Sequence, residues 1–267
     1  MRWLRLVPLA LCAACALSAP PADTTLRSDA DPDDVEALAQ AALARARAAD
    51  ADELLPAQLE ATALLFAAAD RRLQQATNDW LDAHPEATRA EVLAADDQLD
   101  DEVRTGILSL CTAGLELADA ARAAHPDDAA AALHAGLHLS LVAWANGPAR
   151  SLFAGYGPKL VVAIEAAVRL DRAQDGGAPL RLQGRFRARA PWPYGDLELA
   201  RRSLEEAVAL RSVPVNHLFL GDVLCAVGDL AAAREQWQFA RTSPADAATR
   251  WSADLLRRQA ERRLAAE

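Results

Sequence analysis

Four arginines, Arg181, Arg185, Arg187 and Arg189, crowd into one short stretch just ahead of Trp192 and Tyr194. At helical spacing Arg181 and Arg185 share a face. Guanidinium forks match the geometry of carboxylates and phosphates, so this basic and aromatic cluster reads as the lining of a concave face or a partner groove. Asn216 and His217 are candidates to add polar contacts on the same side. On this reading Arg185→Ala lowers partner binding without lowering the melting temperature. The plainer alternative is solubility, with a cation–π brace of the loop on Trp192. Tyr156 joins the candidate contacts from Gly155-Tyr156-Gly157-Pro158, which precedes a helix whose N-terminus suits an anion. A structural turn explains that segment equally: a full G-x-G-x-x-G needs glycine where Leu160 stands.

His134 and His138 lie four residues apart, on one helix face, as two metal ligands must. No HExxH order and no third ligand accompany them, so packing or surface histidines are the simpler expectation. Asp96 to Glu102 is dense in carboxylates but lacks the alternation and glycine of a calcium loop, and reads as a solvated helix start. No P-loop, G-x-S-x-G or Cys-His constellation occurs. We therefore expect no catalytic set, no resident metal and no cofactor.

The elements that position these residues follow from composition. Of 267 residues, 65 are alanine, 12 glycine and 14 proline, and 5% are aromatic. Alanine is the best helix former and a poor strand former, so the fold class expected is all-α. The formal charge of −10 argues against a nucleic-acid partner, whose phosphates need a basic face. No stretch after the N-terminus approaches the roughly 20 apolar residues of a spanning helix.

Met1 to Ser18 reads as an export signal: Arg2 and Arg5, an apolar run from Leu6 to Ala14, then small residues. Two processing routes fit, cleavage after Ala16 or Ser18, or lipoprotein processing with a lipid on Cys15. Ala13-Ala14-Cys15 resembles a lipobox, although Cys12 stands where leucine is usual. Residues 19–33 read as a flexible linker. Loss of Arg2 and Arg5 takes the charge to −12, so membrane association is expected only through the lipid anchor. The expected location is the periplasm, attached to a membrane such as the outer membrane. In an exported chain Cys111 and Cys225 could bridge; two small apolar side chains are the preferred reading.

From Asp34 onward apolar residues recur at three- and four-residue steps. The reading is N-terminal helices over 34–105, repeats over 106–245 and a C-terminal helix over 246–267. Val92 to Ala124 reads as one helical stretch. Pro126 stops it, and Asp127 or Asp128 caps the next helix. Breakers from Asn146 to Pro158, at Asp175-Gly176-Gly177 and from Pro191 to Gly195 mark connections. Helices alternating with short loops imply antiparallel hairpins stacked into an α-solenoid.

The clearest unit is His217-x2-Leu220-Gly221-x2-Leu224, then Gly228-Asp229, Ala233-x3-Trp237, Ala240 and Pro244. It fits the tetratricopeptide spacing, with His217 for Trp and Leu224 for Tyr. Gly221, Ala233 and Ala240 fall where two helix backbones approach, and Leu220, Leu224 and Trp237 fill the space around them. Gly184 with Gly195-Asp196, Ala200-x3-Leu204 and Ala207 is a second unit. Gly136 and Leu139 with Leu160, Ile164 and Ala167 form a third. Gly114-x3-Ala118-x2-Ala121 keeps the second helix of a fourth. Such units cannot bury their apolar faces alone and must stack.

This order of features, from Ala121–Pro126 through Gly155-x-Gly157, Gly184-Arg185 and Asn216-His217-Leu218-Phe219-Leu220, resembles the T-component family of tripartite ATP-independent periplasmic (TRAP) transporters. It is also similar to the regulator-of-microtubule-dynamics tetratricopeptide proteins. The resemblance spans roughly residues 88–245. It implies a lipid-anchored, helical periplasmic protein that forms a homo-oligomer and partners a periplasmic solute-binding protein. The function expected is non-enzymatic binding of a protein partner or an apolar small ligand. The rival readings are a general envelope scaffold lipoprotein and a metallohydrolase using His134 and His138.

Overall fold

Alanine-rich amphipathic segments give eleven α-helices and no strand among the described residues, which in this computed structural model are 31–244 and 250–266. All fall in one unit, Asp31–Glu267. The expected leader Met1–Ser18, with Cys12 and Cys15, and most of the linker lie outside the described residues. The end of that linker is folded: Pro32–Asp34 is a 3₁₀ turn, and Asp33 accepts from Arg71 at 2.6 Å.

The helices are α1 (Val35–Ala48), α2 (Leu54–Ala83), α3 (Arg89–Leu93), α4 (Asp101–Ala124), α5 (Ala129–Phe153), α6 (Tyr156–Asp171), α7 (Gln174–Arg189), α8 (Leu197–Leu210), α9 (Pro214–Ala226), α10 (Leu230–Thr242) and α11 (Ala253–Ala265). No helix among the described residues is long and apolar enough to cross a membrane. Aspartates start four of them: Asp100, Asp128, Asp196 and Asp229 accept from the backbone N–H of Val103, Ala131, Leu199 and Ala232 at 2.8–3.1 Å. Each satisfies one of the orphan donors of a helix start, worth about 1 kcal/mol.

Successive helices pack as antiparallel hairpins, α5/α6, α7/α8 and α9/α10, each leaning on the next. The glycines set how closely. A Cβ on Gly221 would meet Trp237 at 2.5 Å and the Ala233 carbonyl oxygen at 3.1 Å. A Cβ on Gly184 would meet Leu204 at 2.5 Å and the Ala200 carbonyl oxygen at 3.1 Å. The same glycine-over-alanine crossing is thus built twice, with the filler four residues on from the alanine. Ala233, Trp237 and Ala240, Ala200, Leu204 and Ala207, Leu160, Ile164 and Ala167, and Ala118 and Ala121 are all buried. The chain is an all-α solenoid with a tetratricopeptide-like fold.

Two features depart from the expected course. The Val92–Ala124 stretch breaks into α3, a 3₁₀ turn at Ala95–Gln98, and α4. The carboxylates read as a solvated helix start divide accordingly. Asp100 caps α4, while Asp96 and Asp97 sit in the turn. Helix α4 packs between α5 and α2, a 30-residue helix that also pairs with α1, so the hairpin stacking begins well ahead of Gly106. The connection around Asn146 is shorter than expected, because α5 kinks at Gly147 (φ +74°) and resumes to Phe153.

The inner layer closes on itself. Helix α2 packs on α5, α5 on α7, α7 on α9, α9 on α11, and α11 returns to α2. The last seam is a row of polar ties. Arg71 donates to the Trp251 carbonyl at 2.6 Å, Asn78 to the Leu255 carbonyl at 3.1 Å, and Gln259 to Gln74 at 2.7 Å. Arg262 donates to the carbonyls of Leu81 and His84 at 2.9 and 2.8 Å. An open solenoid offers its concave face as a groove; here that face looks onto the chain's own α2 and α11.

Candidate binding site

The arginine cluster sits on the inner face of α7. Residues 175–177 make the turn ahead of it, with φ of +46°, +69° and +81°. Gly177 takes the last of these values against α8, where a Cβ would meet the Ala207 Cα at 3.1 Å. Only glycine combines that conformation with that approach.

From this start Arg181 points toward α9 and donates to Asn216 Oδ1 at 2.8 Å. Asn216 is fully buried, and its Nδ2 donates to the carbonyls of Gly176, Ala207 and Arg211 at 2.9–3.1 Å. One amide thereby ties the 175–177 turn, the end of α8 and the start of α9.

One turn on, Arg185 donates to Asp222 at 3.4 Å and to Asp96 at 3.2 Å, and its guanidinium lies 4.7 Å from the Phe219 ring centre. Burial and then the neighbouring Arg189 charge press Arg185 below the ordinary arginine range, while Asp96 and Asp222 pull the other way. Arg189 pairs with Asp96 and Asp97 at 3.0 and 2.7 Å. Burial works against its charge, but those two carboxylates outweigh it and hold Arg189 above its usual value.

Asp222 is the hub. It accepts from Arg263 Nε and Nη2 at 2.6 and 3.0 Å and from Trp237 Nε1 at 3.1 Å, besides Arg185. Four helices, α7, α9, α10 and α11, meet on one carboxylate. Asp222, Arg263 and Asp96 carry no motif of their own. The available signal was a lone carboxylate in an otherwise apolar helix, since α9 surrounds Asp222 with buried Leu218, Leu220, Val223 and Leu224.

The other candidates separate. His217 bonds Ser212 at 2.8 Å and Gln236 at 2.7 Å and stacks on Phe239, with ring centres 3.7 Å apart. Burial lowers its pKa, partly offset by Gln236. Tyr194 lies over Gly157, the residue after Tyr156, and 6.2 Å from the Phe186 ring, and its carbonyl accepts from Arg187 at 2.9 Å. Trp192 stands apart, 90% exposed. The cation–π contact expected on it is instead made by Arg185 on Phe219 and Arg187 on Phe186. The structure makes Arg185 part of the frame, so removing it is now expected to lower the melting temperature, unlike the expectation from sequence.

His134 and His138 are buried and both turn toward Thr62. Its hydroxyl lies 2.7 Å from His134 Nδ1, and its carbonyl accepts from His138 Nε2 at 3.0 Å. Burial, and then the neighbouring His134, push His138 down to about 3. Burial also lowers His134, against Asp175 and Asp128. No group of three metal-ligating residues is assembled among the described residues. Cys111 and Cys225 are free, and burial drives the Cys111 thiol far up.

Two open depressions lie on the outer side. One of about 490 Å³ is bordered by Asp101, Arg104, Leu108, Asn146 and Arg150; the other, of about 400 Å³, runs along α4 from Thr105 to Glu116.

The chain matches no protein-family profile and no curated protein. Among solved structures it is similar to TTC0263, a thermophilic tetratricopeptide protein of Thermus thermophilus. The identity is 18% over 84% of this chain and 98% of that one, with a TM-score of 0.47. It is also similar to a chain of the APC/C hetero-tetramer Cut9–Hcn1, at 17% identity over 79% of this chain and 39% of the other, with a TM-score of 0.43.

Proposed function

We propose that this protein is a non-enzymatic accessory protein of the cell envelope that works by holding a partner. The partner is a periplasmic solute-binding protein of a TRAP-type transporter. What carries the binding reading is the use the fold makes of its interior ionisable groups. His134, His138, Asp222 and Arg263 are each held by another helix of the same chain. They act as ties of the frame, and reaction chemistry needs groups that face a substrate. Tetratricopeptide-like stacks serve as platforms for protein contacts, and the order of motifs from Ala121 to Leu220 supplies the resemblance to transporter T-components. The N-terminal signal with Cys15 supports the envelope location.

The test is capture from the native envelope. Mild crosslinking followed by purification through a C-terminal tag is expected to enrich a solute-binding protein over an untagged control. Failure to enrich one overturns the transporter reading. Stoichiometric zinc in the purified protein, lost in His138→Ala, would overturn the non-enzymatic reading.

A further inference from the structure

The α5–α6 and α7–α8 connections lie side by side, joined where the Tyr194 ring covers Gly157. On these two segments lie the three most exposed large apolar side chains among the described residues. Phe153 is 91% exposed, Trp192 90% and Leu152 73%. Such side chains are costly to leave in water, and an exposed apolar cluster marks an interaction site.

The two chain segments that carry them are long and free of carboxylates. A chain with 38 acidic residues has none between Asp128 and Glu165, and none between Asp175 and Asp196. Both connections fall inside these gaps. The charged residues in the first are Arg150 and Lys159, the only lysine of the chain. Both are exposed and form no ion pair among the described residues. In the second, Arg187 and Arg189 are held inward by the Tyr194 carbonyl and by Asp96 and Asp97. Asp101 borders the depression beside Arg150, and the carboxylates that follow the second gap in the chain are committed. Asp196 caps α8, and Glu198 pairs with Arg201 and Arg202.

We propose that this tip, formed by Leu152, Phe153 and Trp192 with Arg150 and Lys159, docks the protein on the surface of a lipid bilayer bearing anionic headgroups. Three arguments select a bilayer. A side chain about nine-tenths exposed has almost no support from its own protein, so a rigid partner would need a matching pocket for each; a bilayer interface receives them without one. Tryptophan and phenylalanine beside cationic side chains are the composition of segments that sit at the headgroup boundary. The scarcity of carboxylates in the two tip connections lets a strongly acidic protein approach an anionic surface there. Pro191 and Pro193 fix the backbone on either side of Trp192, so little conformational freedom is lost on insertion. This contact is independent of the transporter reading and distinct from any lipid on Cys15.

The experiment is hydrogen exchange on the full chain, with and without vesicles of phosphatidylethanolamine and phosphatidylglycerol, read over residues 151–157 and 191–195. The expected result is vesicle-dependent protection of both segments, weakened at least tenfold in vesicle affinity when the phosphatidylglycerol is replaced by phosphatidylcholine or in Phe153→Ser/Trp192→Ser. Both substituted side chains are almost wholly exposed, so the fold is retained. Vesicle binding through the N-terminus that leaves the two segments exchanging freely would overturn the proposal. So would protection that appears without vesicles as protein concentration rises, which would assign the tip to a second copy.

Discussion

Asp222 and Arg263 face each other across α9 and α11 as a two-nitrogen pair at 2.6 and 3.0 Å, with side-chain exposures of only 10% and 4%. They are the point at which the last helix is fastened to the repeats. Removing Asp222 leaves Arg263 buried without a counter-charge, which costs about 3–5 kcal/mol. Asp222→Ala is expected to lose stability on that scale in urea unfolding. The double substitution Asp222→Leu/Arg263→Met is expected to lose less than the sum of its single substitutions.

Asp70 makes the opposite case. Burial raises its pKa, against hydrogen bonds from Gln74 and Ser252 and the charge of Arg181. A carboxyl with a raised folded-state pKa binds protons more tightly folded than unfolded, so its effect on stability worsens as pH rises. Asp70→Asn keeps an acceptor for Gln74 and removes the charge. Its melting temperature is expected to equal or exceed that of the parent at pH 7, and the advantage should vanish as pH falls to the ordinary carboxylate range.

The buried histidines set the acid limit. His138 is depressed from 6.5 to about 3 and His134 is depressed as well. Between those values the unfolded chain binds more protons than the folded one, so stability falls as pH drops below 6.5. The slope is at most about 1.4 kcal/mol per pH unit for each histidine. His138→Gln is expected to be less stable at pH 7 and to show a shallower loss between pH 6.5 and 4, measured by denaturant midpoints.

The glycine crossings are tested by adding volume. Gly221→Val drives carbon into Trp237 and the Ala233 carbonyl. It is expected to cost at least about 2 kcal/mol. Asp229→Ala, which removes only a cap, is expected to cost about 1 kcal/mol. Comparable losses for the two would mean the crossing is looser than described.

The second halves of the repeats were legible in sequence, because a small residue at a helix crossing leaves a spacing mark. Ala200-x3-Leu204 and Ala233-x3-Trp237 carry it, and both are buried as read. The return of α11 to α2 was not legible. It is made by Gln74, Asn78, Gln259 and backbone carbonyls, residue types that pattern as a solvated face. Arg262 and Arg263 were hidden in the same way among exposed arginines. For the candidate site, the sequence set Asn216 on the side of Arg181, and the two bond at 2.8 Å, but it gave no sign that Asp96 and Asp222 supply the counter-charges of Arg185. Those carboxylates come from elements 37 and 89 residues away from Arg185.

The closed inner circuit, with α11 seated on α2, is the premise from which the filled concave face follows. A photo-crosslinking residue at position 82 probes it directly, because Asp82 lies 3.6 Å from Arg258 of α11 and both are exposed. Illumination of the full chain, digestion and mass spectrometry should join the peptide containing residue 82 to one within 253–265. Crosslinks that never reach α11 would mean the solenoid is open and its concave face is free.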